Sequence, residues 1–309
     1  MHVGIHVPQL GRLADPAAIR EAAVAAEVAG YRSLWVLDRL LAPVEARTPY
    51  PARAGGVLPD EQRTVLDPIG VLTLAASVTT RIRVGTSVLV APWYSPPVLA
   101  RSLTTLDHIS GGRLDVGLGV GWSLDEHQAA GVPQRHLGAR LDETLDVLEA
   151  VWGPDPVRHT GARVHIAASC MGPKPVQVGG PPVLLAAFTP TGLDRVARRA
   201  AGWNPSGLPV AAIGPMWRAV RDLAAGHGRD PDRLRLVVRA NIDLSEQPAG
   251  PDRLSFAGSL DQVASDLVAT AEAGADEVIL GCFGDPHDVD TMLGSYAALV
   301  AAADLTLEA

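Results

Sequence analysis

The chain has 309 residues, enough for one large domain or two ordinary ones, and 47% hydrophobic against 19% charged residues supply ample material for a core. Its 26 Lys and Arg against 34 Asp and Glu leave a net charge of −8, and no basic run exceeds two residues, which argues against nucleic acid or an anionic membrane as a partner. The two cysteines, Cys170 and Cys282, lie far apart and outside any C-x-x-C pattern, so neither a disulfide framework nor a structural zinc site is expected.

The first residues, Met1-His2-Val3-Gly4-Ile5-His6, show no basic segment leading into an apolar one, which predicts no signal peptide and a cytoplasmic location. The longest uncharged stretches, 84–100 and 175–193, are broken by prolines and predict no membrane-spanning helix.

In chain order, short apolar runs alternate with amphipathic segments. Val3 to Pro8 predicts a first strand, followed by a helix with Asp15 as N-cap, Pro16 at its first position and Gly30 as its stop. Ser33 to Val36 is the second strand, and after a loop rich in Pro and Arg a helix runs from Asp67 to Val78. Ile82 to Val90 reads as strand three, and the helix opened by Ser95-Pro96-Pro97 carries Leu99, Leu103 and Leu106 at helical spacing. Arg113 to Gly119 is strand four, and Leu141, Leu145, Leu148 and Trp152 mark the next helix face. Strand five is predicted over Pro182 to Phe188, a helix over Leu193 to Ala201, a short strand six over Gly202 to Asn204 and strand seven over Leu234 to Ile242. Ser259 and Gln262 form a capping box before a helix that stops at Gly274; strand eight is Glu277 to Leu280, and a last helix runs from Asp288 to Ala303.

Eight strands in this rhythm fit a (β/α)8 TIM barrel with insertion loops, spanning 1–309 as one domain, better than a doubly wound sheet. Two stretches lack a pattern. Leu40–Thr64 follows a strand, at the catalytic end of such a barrel, and is a lid candidate; Gly153–Gly180 follows a helix and is left open.

In a barrel the C-terminal strand ends build the active site. These ends offer His6, Pro8 and Gln9; Asp38 and Arg39; Thr86 to Ala91; Gly119, Gly121, Trp122, Asp125, Glu126 and His127; Phe188 and Thr189; Asn204 and Ser206; Asn241; and Gly281. Gly117-x-Gly119-x-Gly121 fails the dinucleotide pattern, because glycine is required where Trp122 or Leu124 stands. The bare strand face it leaves suits either a flat ring lying on backbone or tight packing inside the barrel. Asp38 is either a ligand-positioning carboxylate or a turn cap, and His6 either a core histidine or an acid–base group. Glu126 and His127, adjacent on a helix, point apart and are not an acid–base pair. His159 and His165 have no metal-ligand spacing, and no hydrolase, zincin or P-loop motif is present.

Ser33-Leu34-Trp35-Val36-Leu37-Asp38-Arg39, Val84-Gly85-Thr86-Ser87-Val88, the run from Leu106 through Gly111-Gly112-Arg113 to Trp122, Glu126 to Pro133, Arg140-Leu141-Asp142-Glu143, Val151-Trp152 and Lys174-Pro175-Val176-Gln177 together resemble the bacterial luciferase-like superfamily, and within it the F420-dependent oxidoreductases. The resemblance implies a barrel holding the deazaflavin F420, or FMN in sister branches, at its mouth. It implies a non-prolyl cis bond at Ser87-Val88 behind the ring, with Thr86 beside it, and Asp38 near the ring's polar edge. Gly119, Gly121, Trp122 and Asp125 would line the ring and its chain, and Phe188, Thr189 and Ser206 would meet the phosphate. Arg39 stands where sugar-phosphate-oxidising members carry histidine and Trp122 where they carry an acid–base glutamate, which argues against that reaction. Phe188-Thr189 replaces a Gly-Gly pair and Ala201-Gly202-Trp203 an Asp-Gly-Trp, which implies an altered grip on the phosphate.

The expected activity is hydride transfer between F420 and a small organic substrate, with His6, Asp38, Arg39 and Glu126 as candidate catalytic residues. His6, Glu126 or bulk water would deliver the proton, and Arg39 and Arg83 would offset an anionic cofactor. The alternatives are an FMN-dependent monooxygenase and a barrel retaining only a binding role. A homodimer is expected, with no metal.

Overall fold

The computed structural model describes residues 1–282, 284 and 286–308, the side chains of Ala54 and Cys282 excepted. Eight parallel strands alternate with eight helices: β1 (His2–His6), α1 (Pro16–Ala29), β2 (Ser33–Val36), α2 (Pro68–Ser77), β3 (Arg83–Thr86), α3 (Pro96–Ser110), β4 (Leu114–Gly119), α4 (Leu137–Trp152), β5 (Val183–Leu185), α5 (Pro190–Arg199), β6 (Gly202–Trp203), α6 (Val210–Gly226), β7 (Arg235–Leu244), α7 (Leu260–Glu272), β8 (Glu277–Cys282) and α8 (Val289–Ala302). Each strand pairs with the next, β8 pairs with β1, and the short β6 bridges β5 and β7 through Gly202↔Arg235 and Trp203↔Leu236, so the sheet is a closed (β/α)8 barrel.

The same local device starts most helices. Asp15, Asp67, Thr189, Ser259 and Asp288 each accept a backbone N–H of the first turn, and proline occupies the first helical position after Asp15, Asp67 and Thr189. Thr189-Pro190 starts α5 earlier than the apolar pattern predicts, and β5 accordingly ends at Leu185. Strand three is interrupted: β3 ends at Thr86, and Leu89–Val90 re-pairs separately with β4. Two elements have no counterpart in the sequence reading. Helix α6 has Pro215 in its interior, which reads as a break, and 157–169 forms an antiparallel pair of Val157–Thr160 with His165–Ser169 following α4.

Side chains facing into the barrel stack in three levels. At the N-terminal end lies a polar floor. Arg83 and Arg235 both bind Asp115, while Glu277 accepts from Ser33 Oγ and, at 3.0 Å, from Trp35 Nε1. Above it Trp35, Leu184, Val237 and Ile279 form a fully buried apolar layer. The Trp35 indole spreads over Gly85, where a Cβ would lie 2.5 Å from the ring. The third level, at the C-terminal mouth, is polar again and contains the candidate site. No helix of the described residues is long and apolar enough to cross a membrane.

Candidate functional site

The third level follows from strand alternation. On β7, Val237, Arg239 and Asn241 share the inward face, so an apolar-layer residue is followed upward by a cation and an amide. Arg239 Nε donates to Asn241 Oδ1 at 2.9 Å, and its Nη1 donates across the barrel to the Ser87 carbonyl oxygen. That bond leaves Asn241 Nδ2 as a donor; it is buried with no hydrogen-bond partner among the described residues, as is His6 Nε2 at the end of β1. His6 is held well below the usual imidazole range, first by burial and then by the Arg239 charge, so the ring is neutral at neutral pH. Asn204 donates to the Val237 carbonyl at 2.7 Å, and its Oδ1 is also buried and unpaired.

His6, Arg239, Asn241 and Gly281 line a cavity of about 380 Å³. Its walls also include Gln9 and Leu37, Met292 and Tyr296 of α8, and Glu61 and Gln62 of the loop after β2. Among the described residues no group of three or more His, Cys, Asp or Glu is placed to hold a metal.

The end of β3 forms one flank of the mouth. The Ser87–Val88 peptide bond is cis, as the resemblance implies. Thr86 Oγ1 donates to the Gly117 carbonyl at 2.8 Å and accepts its N–H at 2.9 Å. A Cβ on Gly117 would lie 1.9 Å from the Thr86 carbonyl oxygen, and one on Gly119 would lie 2.7 Å from Val88 Cγ2. The bare face of β4 at these two glycines is therefore filled by the β3 end, which decides for the packing reading of the glycine run.

The adjoining flank is built after β2. Asp38 Oδ2 accepts the Val90 N–H and the Tyr94 hydroxyl, both at 2.9 Å, while burial raises its pKa to about 6. Arg39 lies over the Trp122 ring at 5.2 Å, donates to Gln62 Oε1 at 3.0 Å and pairs with Glu126 at 3.4 Å. Glu126 Oε1 also accepts the Leu40 N–H at 2.8 Å. Both members of this pair are buried.

The loop 40–64 is thus bound down over the mouth. Arg47 donates to Asp125 from its side chain and, at 3.0 Å, from its backbone N–H. Tyr50 packs edge-on against Trp122, Arg53 pairs with Asp243 at 3.5 Å, and Glu61 accepts the Gly284 N–H at 3.1 Å.

The predicted residues therefore fall into three groups. His6, Gln9, Asn241 and Gly281 share the cavity. Asp38, Arg39, Trp122, Asp125 and Glu126 form the flank that holds the loop, with Asp125 engaged by Arg47 and Glu126 by Arg39 and the Leu40 N–H. Phe188, Thr189 and Ser206 lie after β5 and β6, outside the cavity wall: Phe188 is half exposed, Thr189 caps α5, and Ser206 bridges to Arg239 through the backbone.

Arg83 requires a correction. It starts β3, so its guanidinium lies in the floor on Asp115, at the end opposite the mouth. Arg239 was missed, although its signal was available. Arg235, Arg239 and Asn241, polar residues at even spacing inside the otherwise apolar run Leu234–Ile242, mark an inward polar face.

The family model described as Luciferase-like monooxygenase matches residues 2–250. The chain belongs to the luciferase-like family. An uncharacterized protein of Mycobacterium tuberculosis is 36% identical over 277 residues, covering 88% of this luciferase-like chain and 96% of its relative. A monooxygenase from Streptomyces bottropensis superposes with a TM-score of 0.77 at 21% identity over 99% of both chains. An F420-dependent secondary alcohol dehydrogenase, solved with an F420-acetone adduct, gives a TM-score of 0.77 at 16% identity over 98% of both chains. At these identities the structural likeness shows the fold, which F420-dependent enzymes and monooxygenases share.

Proposed function

We propose that this luciferase-like protein is an oxidoreductase that transfers a hydride between the deazaflavin F420 and a small organic substrate. One observation carries the reading: at the barrel mouth, in a cavity of about 380 Å³, His6 Nε2 and Asn241 Nδ2 are buried polar atoms with no hydrogen-bond partner among the described residues. Buried polar atoms are nearly always hydrogen-bonded, so a small bound molecule with acceptor atoms fits the deep end of this mouth, as an enzyme that brings a substrate to its cofactor requires.

The residues that would hold the cofactor are Thr86, Ser87 and Val88 behind the ring and Trp122 along its side, the glycines of β4 being packed against the end of β3. The N-terminus of α5, capped by Thr189, with Phe188 and Ser206, would meet the phosphate. When bound, the deazaflavin supplies two-electron hydride chemistry, and the protein supplies orientation and a dry site.

This chain's own groups divide the remaining work. His6, neutral and buried, holds or releases a proton at Nε2. Asp38, with a pKa of about 6, would change charge just below neutral pH beside the bound ring. Arg39 and Glu126 are spent on each other and on the loop, so in this reading they position the lid, which excludes water.

The family description and the Streptomyces bottropensis likeness favour a second reading, an FMN-dependent monooxygenase. Titrating the purified protein with F420 and with FMN, and following quenching of its six tryptophans, separates the two. Saturable quenching by F420 is expected. Saturation by FMN alone would favour the monooxygenase, and saturation by neither would leave a barrel with a binding role.

A further inference from the structure

The Arg239 guanidinium is a cation at the bottom of the cavity that donates to two uncharged acceptors, Asn241 Oδ1 at 2.9 Å and the Ser87 carbonyl oxygen, with the Tyr50 phenol within electrostatic reach. Among the described residues no carboxylate pairs with it. The acids near the mouth are engaged elsewhere: Asp243 with Arg53, Glu126 with Arg39, Asp125 with Arg47 and Asp38 with Tyr94. Glu61 shares the cavity, but from the loop side, where it accepts the Gly284 N–H. A guanidinium keeps its charge when buried, and an enclosed cation without a counter-ion is costly unless a ligand supplies one.

Two more groups converge with it. Asn241 Nδ2 is a buried N–H donor without a partner, oriented by the bond its Oδ1 accepts from Arg239. His6 Nε2 is buried and unpaired on the same cavity wall. The rest of the wall is largely apolar, with Leu10, Leu13, Leu37, Leu244 and Met292.

We infer that Arg239 and Asn241, with His6 beside them, bind the carboxylate of an anionic substrate whose body is apolar. This names the substrate class within the oxidoreductase reading and rests on that reading for turnover; the binding itself does not require the cofactor. Arg239 offers a charged N–H donor and Asn241 a neutral one, a pair suited to the two oxygens of a carboxylate.

The test uses the full-length, cofactor-free protein with hexanoate as probe and hexan-1-ol as its uncharged counterpart, measured by calorimetry. Hexanoate is expected to saturate at least tenfold more tightly than the alcohol. Arg239→Met should lose at least tenfold in hexanoate affinity and little for hexan-1-ol. Because that variant also loses the bond to Ser87, Asn241→Asp serves as a second one: nearly isosteric, it gives Arg239 an internal counter-ion and should abolish hexanoate binding.

Equal affinity for acid and alcohol would overturn the inference. So would an Asn241→Asp variant that binds hexanoate like the wild type, or an Arg239→Met variant that loses F420 quenching while keeping hexanoate. Failure of F420 to quench the unmodified protein, with hexanoate binding intact, sinks the cofactor reading and leaves the anion site standing.

Discussion

Tyr94 donates its hydroxyl to Asp38 Oδ2 at 2.9 Å, and the same oxygen accepts the Val90 N–H, so one half-buried carboxylate ties the segment after β2 to the segment after β3. Burial outweighs both bonds and raises the Asp38 pKa from the ordinary 3.8 to about 6. A carboxyl that binds its proton more tightly folded than unfolded stabilises the fold at low pH and loses that contribution as pH rises through its folded value. The loss from Asp38 falls between pH 3.8 and about 6 and amounts to about 3 kcal/mol.

Asp38→Asn should therefore stabilise the protein more at pH 8 than at pH 4.5, by about 2 kcal/mol in urea denaturation. An equal effect at both pH values would show that Asp38 titrates normally.

His6 has the opposite sign. Its folded pKa lies well below the usual value, so the folded state resists the proton that the unfolded chain takes up, and stability falls as pH drops through the unfolded value near 6.5. His6→Leu should remove this contribution. The stability lost between pH 7.5 and pH 5 is expected to be smaller in the variant than in the wild type, read by thermal melts across that range. Parallel curves would contradict the buried neutral ring.

At Gly119 an added methyl meets Val88 Cγ2 at 2.7 Å, and a β-branched side chain has little freedom to move aside. Gly119→Ala should cost about 1–3 kcal/mol. In a Val88→Ala background the same change should cost less than about 1 kcal/mol, since the obstructing atom is gone. Urea denaturation of the four proteins of this cycle measures the coupling, and additivity would deny the contact.

Glu126→Ala leaves the buried Arg39 guanidinium without its counter-ion and the Leu40 N–H without its acceptor. Breaking a buried pair from one side costs about 3–5 kcal/mol. Proteolysis within 40–64 should accelerate in step, while Glu126→Gln, which keeps one acceptor oxygen, should be milder on both counts. Unchanged proteolysis in Glu126→Ala would show that the loop is held by its other anchors alone.

Much of the barrel was legible because its signals are local. Asp-Pro and Ser-Pro starts mark helices, and β-branched or leucine runs mark strands, whatever the distant contacts, although the Thr189-Pro190 start went unread. Pro215 hid α6 because a proline inside a helix mimics its end. The site was only partly legible. His6, Asn241 and Gly281 followed from the rule that strand ends build the mouth, but Arg239 sits within a strand, where a linear scan looks for core. The engagement of Asp125 by Arg47, 78 residues away, and of Arg239 by Ser87, 152 away, exists only once the sheet has closed. No pattern over a short window contains such pairs.

The stack of floor and apolar layer has a further consequence. With Asp115, Glu277 and their partners sealing one end, and Trp35, Leu184, Val237 and Ile279 filling the waist, no tunnel leads through the cylinder. Along the barrel axis the cavity is closed from below, so a molecule that settles against Arg239 comes in from the side of the loops, past the segments that carry Glu61, Gln62 and Met292.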